Sequence, residues 1–136
     1  MTRNMLDTNM VSYLLRGHPA VVARVTAAPI VSLCLSAITG AELMYGLAKR
    51  PGTARLARAI DELLRRVEVL PWTSSVMATY GETRAALESQ GQPMGALDLL
   101  IAAHALETGA VLVTNDQAFW RVPGLVVEDW SVPTGN

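Results

Sequence analysis

The chain has 136 residues, 51% of them hydrophobic, and a formal net charge of −1. That length and apolar content exclude intrinsic disorder and point to one domain with a sizeable core, expected over 1–131, with a frayed tail at 132–136. The balanced charge excludes an overall basic field, and a single cysteine, Cys34, excludes a disulfide framework and a thiolate metal site.

Taken in order, residues 3–6 read as a short strand that ends at Asp7-Thr8-Asn9. No secretory leader is visible there, because Asp7 interrupts any apolar run, and a soluble cytoplasmic protein is expected. Met10 to Leu15 reads as a helix stopped by Gly17, and Pro19 starts a second short helix that Pro29 breaks. Ile30 to Leu35 is a continuous apolar run rich in β-branched residues, which predicts a buried strand. Arg24 and Pro29 break the longer apolar stretch around it, so no membrane span is expected. Ser36 to Thr39 turns the chain into a helix carrying Glu42, Leu43 and Leu47. Arg50-Pro51-Gly52 ends it.

Leu56, Ile60, Leu63, Leu64 and Val67 then mark one face of a helix whose other face holds Arg55, Arg58, Asp61, Glu62, Arg65 and Arg66. The i, i+4 pairs on that face need no ligand, and a solvated surface is the better reading of it. Glu68 to Leu70 is a short strand. A helix follows with Val76, Met77, Tyr80, Arg84 and Leu87 on one side, ended by Gly91-Gln92-Pro93. Asp98 heads an apolar helix that stops at Gly109. Val111-Leu112-Val113 is a buried strand, Thr114-Asn115-Asp116 a polar turn, and 125–127 the last strand. Phe119 and Trp120 could stack a base, but packing beneath that strand is the expected role of both. Alternating strands and helices imply an α/β fold with a mainly parallel sheet covered on both faces, and ligands in such folds sit outside the carboxyl ends of the strands.

Four acids occur where that ligand crevice would lie: Asp7 and Asp116 at strand ends, and Glu42 and Asp98 near helix starts. Each has a plain structural reading. Asp7 and Asp98 are possible helix caps, Thr39-x-x-Glu42 matches a capping box, and Asp116 suits a turn. Brought together, the four would repel one another, and a divalent cation would relieve that repulsion. All-oxygen ligands favour Mg²⁺ or Mn²⁺ over zinc. With four acids held in such a site, the rest of the surface would carry +3. Such an ion neutralises charge on a phosphodiester and supplies the nucleophile for in-line attack. His18 and His104 stand alone, and a core or surface role suits them better than catalysis.

Leu6-Asp7-Thr8-Asn9, Ser36-x-x-Thr39-x-x-Glu42-Leu43, Asp98-x-x-Ile101-Ala102-x-x-Ala105 and Thr114-Asn115-Asp116 resemble the acidic signature of PIN-domain ribonucleases. Their order and spacing resemble the VapC toxins of bacterial toxin–antitoxin pairs, over essentially the whole chain. The closing Arg121-Val122-Pro123-Gly124-Leu125-x-x-Glu128-Asp129-Trp130 is similar to the initiator-tRNA-specific endonuclease branch. The resemblance implies a three-layer α/β/α sandwich and a Mg²⁺ site (Mn²⁺ being possible) with Asp7 and Asp98 as principal ligands. Glu42 would bind metal or orient water. Asp116 would be the fourth ligand, at a position that varies in the family, and Thr8, Asn9 and Thr114 would hold the carboxylates. It also implies a homodimer, an RNA substrate with tRNA favoured, products with 5′-phosphate and 3′-hydroxyl ends, and neutralisation by a VapB-type antitoxin.

Two other readings compete. A signalling receiver domain also has an acidic Mg²⁺ pocket, but it needs a lysine at a strand end, and Lys49 ends a helix. A non-catalytic interaction module would use the acidic pocket to receive a partner's arginine. Lys49 and Arg50, which share a helix with Glu42, are the better phosphate-binding candidates among the cations.

Overall fold

The structure is a computed structural model and describes residues 2–133. The strands are β1 (Asn4–Leu6), β2 (Leu33–Ser36), β3 (Glu68–Leu70), β4 (Val111–Val113) and β5 (Val127–Glu128). They form one sheet in the order β3-β2-β1-β4-β5, with every pairing parallel. The helices are α1 (Thr8–Leu15), α2 (Pro19–Ala27), α3 (Ala37–Ala48), α4 (Ala54–Arg66), α5 (Met77–Ser89) and α6 (Ala96–Thr108). No described helix is long and apolar enough to cross a membrane. The frayed tail expected at 132–136 lies mostly outside the described residues.

Strand residues alternate between two cores because successive side chains point to opposite faces. Met5, Cys34 and Leu112 pack with Leu87 of α5, Leu99 and Ile101 of α6, and Phe119. Leu6, Leu35 and Val113 pack on the other face with Met10 and Val11 of α1, Leu43 of α3 and Ile60 of α4. The result is the three-layer α/β/α sandwich with a parallel sheet. Burial on both faces is why these strands read as unbroken apolar runs.

The chain lays down β1, β2 and β3 in one direction and then crosses to the other side of β1 for β4 and β5. The strand order therefore reverses between β1 and β4. A crevice opens at such a point, outside the carboxyl ends of the two strands. α1 and α3 follow strands and begin at that edge. α6 leads into β4, so its first turn lies at the same edge.

Two expected elements differ. Residues 30–35 are not one strand: Ile30–Ser32 form a 3₁₀ turn, and β2 starts at Leu33. The Ser32 amide and hydroxyl both bond the Pro29 carbonyl, at 2.9 and 2.6 Å, which closes the turn and leaves Ile30 and Val31 exposed. The last strand is Val127–Glu128 rather than 125–127, because the Leu125 amide closes a turn onto the Val122 carbonyl around Gly124, whose φ is +79°. On α5, Leu87 is buried as expected, but Met77 is exposed and Thr83 takes an inward position. Phe119 is buried as expected, whereas Trp120 is exposed.

Ser36 links sheet, helix and core. Its Oγ caps α3 by accepting the Ile38 amide at 3.1 Å and lies 2.8 Å from Nδ1 of the buried His104. Burial lowers the His104 pKa and so favours the neutral ring in this packed position. Ser36→Ala removes the cap and leaves a buried imidazole nitrogen short of a partner. We expect a loss of about 2 kcal/mol in urea denaturation.

Candidate metal centre

β1 ends in Leu6, whose neighbours on both sides are core, so the next residue, Asp7, is only 4% exposed. Its amide bonds the Val113 carbonyl across the crevice at 3.0 Å, and its Oδ1 caps α1 by accepting the Met10 amide at 2.8 Å. The cap reading of Asp7 is thus correct. The Thr114 hydroxyl also bears on this carboxylate, which faces the crevice wall.

Asp98 does not cap α6. The cap position is Gly95, and Asp98 sits in the first helical turn, where the helix dipole favours a negative charge. Glu42 is not in a capping box either: Ser36 caps α3, and the Thr39 hydroxyl is buried without a hydrogen-bond partner. Glu42 Oε1 instead accepts the Thr8 hydroxyl from α1 at 2.6 Å. Asp116 caps the 3₁₀ turn Gln117–Arg121 by accepting the Ala118 amide at 2.9 Å, and its own amide donates to Thr114 Oγ1 at 3.0 Å.

All four acids line one cavity of about 100 Å³, together with Thr8, Asn9 and Ile101. Thr114 is fully buried behind it and bonds the Asp116 amide. The electrostatics record the crowding. Burial pushes the Asp7 carboxyl up to about 6, with the charges of Asp98 and Asp116 adding to the rise. The Thr114 hydroxyl and the Met10 amide pull it back. Burial also raises Asp98, and Asp116 and Glu42 raise it further. Among the described residues, however, no three potential ligand side chains are drawn close enough to hold an ion as they stand. Like charges that share a small cavity spread apart, and Thr8 holds Glu42 to one side. Hard oxygen donors of this number fit a divalent cation of the Mg²⁺ type.

A PIN domain profile matches residues 5–125, a span that runs from β1 past the last of the four acids. The chain belongs to the PIN domain family.

Within that family its relatives are VapC ribonucleases. The tRNA(fMet)-specific endonuclease VapC of Shigella flexneri is 36% identical over 132 residues, covering 96% of this chain and 100% of the relative. Ribonuclease VapC1 of Haemophilus influenzae strain R2866 is 40% identical, covering 93% and 97%. The fold of DNA-bound VapBC from Salmonella typhimurium superposes with a TM-score of 0.88 at 35% identity, covering 96% of this chain and 99% of that one. VapBC2 from Rickettsia felis, bound to a promoter DNA fragment, gives 0.87 at 34% identity, covering 95% and 99%. This PIN domain is therefore of the VapC type.

Sequence reasoning missed one brace of the site. Asn115 Nδ2 donates to the Tyr13 hydroxyl at 2.9 Å, which ties the turn after β4 to α1 beside the cavity. The two residues lie 102 positions apart, so no local pattern signals the bond. The closing segment does have a visible role in packing. Trp130 is buried, donates to Glu128 at 2.9 Å and lies 5.0 Å beneath the Arg24 guanidinium, which fastens the segment to α2.

Proposed function

We propose that this VapC-type PIN domain is a Mg²⁺-dependent endoribonuclease that hydrolyses a phosphodiester in structured RNA, with tRNA as the favoured class. The observation that carries this reading is the convergence of Asp7, Glu42, Asp98 and Asp116 on one cavity at the sheet's switch point. The raised carboxyls of Asp7 and Asp98 describe a site short of positive charge. A Mg²⁺ ion held there would supply positive charge for the phosphoryl oxygens and for the attacking water.

In this reading Asp7 and Asp98 would hold the ion, with Asp116 as a further ligand. Thr8 holds Glu42 by Oε1, and Oε2 would orient the attacking water and accept its proton. Thr114 and the α1 dipole steady Asp7 in its ionised form. Asn9 lines the cavity wall, where its side-chain amide would face a bound phosphate rather than hold a carboxylate. Hydrolysis leaves 5′-phosphate and 3′-hydroxyl ends. The same reading includes a homodimer; it also includes neutralisation by a VapB-type antitoxin, and the VapBC assembly of similar structures supports that partner. The relatives named for tRNA(fMet) support the tRNA preference.

The deciding experiment incubates antitoxin-free protein with total bacterial tRNA and Mg²⁺, beside chelator and Asp98→Asn controls, and sequences the new 5′ ends. A discrete cut absent from both controls is the expected result. If neither tRNA nor ribosomal RNA is cut while a protein partner still binds, the interaction-module reading replaces this one. A finer check concerns Thr8. Thr8→Val keeps the shape but removes the donor to Glu42, and a 10- to 100-fold loss in Mg²⁺ affinity or activity is expected. Thr8→Ser should restore most of it.

A further inference from the structure

A groove of about 470 Å³ opens between α1, α3 and α4. It shares Thr8, Asn9 and Glu42 with the acidic cavity, so the two form one continuous depression. Leu15, Leu47 and Ile60 make its lining partly apolar, and Arg16, Lys49 and Arg50 make it cationic. Arg16 and Lys49 are the residues on which α1 and α3 end. Both helices begin at the acidic edge of the sheet, so Lys49 stands roughly 10 Å along α3 from Glu42 and Arg16 roughly 12 Å along α1 from Thr8.

These three cations differ from most others in the chain. Arg3, Arg24, Arg65, Arg66 and Arg84 are each tied to a carboxylate. Among the described residues Arg16, Lys49 and Arg50 form no ion pair. Arg16 Nε donates to the Ser12 carbonyl at 3.3 Å and its guanidinium lies 5.2 Å from the Tyr13 ring centre, while the Lys49 ammonium lies 4.9 Å from that of Tyr45. These contacts position a charge without neutralising it.

An acidic centre has a difficulty with a polyanionic substrate. A divalent ion cancels half the charge of four carboxylates, and the remainder still repels phosphates on either side of the cut. Cations within the same depression offset that repulsion. We infer that the Arg16, Lys49 and Arg50 groove is the track for the RNA strand, holding backbone phosphates that flank the scissile one and so positioning it at the carboxylates. The inference rests on the nuclease reading above and deepens it. A protein segment is the competing occupant of a partly apolar groove, but the unpaired cations favour a polyanion.

The test replaces Arg16, Lys49 and Arg50 together by glutamine. A control variant replaces Arg65, Arg66 and Arg84, which removes the same charge from paired, solvated positions. Binding of a short fluorescent single-stranded RNA is measured at several salt concentrations in an Asp98→Asn background with Mg²⁺. Cleavage of bacterial tRNA is measured with Asp98 intact. The groove variant should bind about 10-fold or more weakly, with a salt slope shallower by about 2, since each lost single-strand phosphate contact removes about 0.7. Its KM should rise by a similar factor with kcat retained, and the control should match the parent. Unchanged affinity and salt slope in the groove variant overturn the inference. So does unchanged RNA binding with weaker antitoxin binding, which gives the groove to the protein partner. A parent that binds RNA through the groove but never cuts it removes the nuclease reading alone.

Discussion

Asp98→Asn is expected to lower Mg²⁺-dependent RNA cleavage by roughly a thousandfold while leaving the fold intact. The carboxylate lies in the first turn of α6, half-buried, and shares its cavity with three other acids. Loss of one ligand charge removes a large part of the electrostatic stabilisation that a bound cation gives the transition state. A contribution of about 4 kcal/mol corresponds to three orders of magnitude in rate. The fold tolerates the change because Asp98 makes no capping bond and is itself held in a repulsive setting, by Asp116 and Glu42. Asparagine loses a favourable dipole contact, worth about 0.5 kcal/mol, and gains relief from that repulsion. Single-turnover cleavage and Mg²⁺ titration by calorimetry check both parts. A folded variant with parental activity, or parental activity in excess chelator, refutes the metal-site reading.

The second large effect has a sign opposite to the usual one for aspartate. Most folded-state aspartates titrate below their unfolded value, so ionisation stabilises the fold. Burial instead pushes Asp7 up from 3.8 to about 6. The folded state then holds the proton more tightly than the unfolded state does. Stability is fully present below about pH 4 and is lost as pH rises through the window from 3.8 to 6. With metal removed, ionised Asp7 destabilises the protein at pH 7 by about 3 kcal/mol. Asp7→Asn retains an acceptor for the Met10 amide and carries no charge. It should therefore be more stable than the parent by about that amount in chelator above pH 6, and equal to it below pH 4. Adding Mg²⁺ should raise the parent's melting temperature and leave the variant's unmoved. Urea midpoints at a series of pH values measure the difference. Parallel pH curves for parent and variant would show that Asp7 is not strained in this way.

Local sequence determined much of this outcome, because its signals depend on neighbouring residues alone. Apolar runs at 111–113 and a 3.6-residue period at 56–67 marked β4 and α4, and their alternation implied a parallel sheet with helices on both faces. The four acids were legible because polar carboxylates stood out beside core segments. Where a boundary depended on side-chain bonds to the backbone, the reading went astray. The apolar run at 30–35 hid a turn that Ser32 closes onto Pro29, and Thr39-x-x-Glu42 imitated a capping box although Ser36 is the cap. Only tertiary structure decided that β4 lies beside β1 and not beyond β3. That choice sets Asp7 against the Thr114–Asp116 turn, with a hydrogen bond donated by the Asp7 amide to the Val113 carbonyl. It also gave Asn115 to Tyr13 across 102 residues of chain, while the pairing of β1 with β2 gave Glu42 to Thr8 across 34. Such pairings depend on which strands become neighbours, and strand order is a property of the packed molecule that no local pattern of residues encodes.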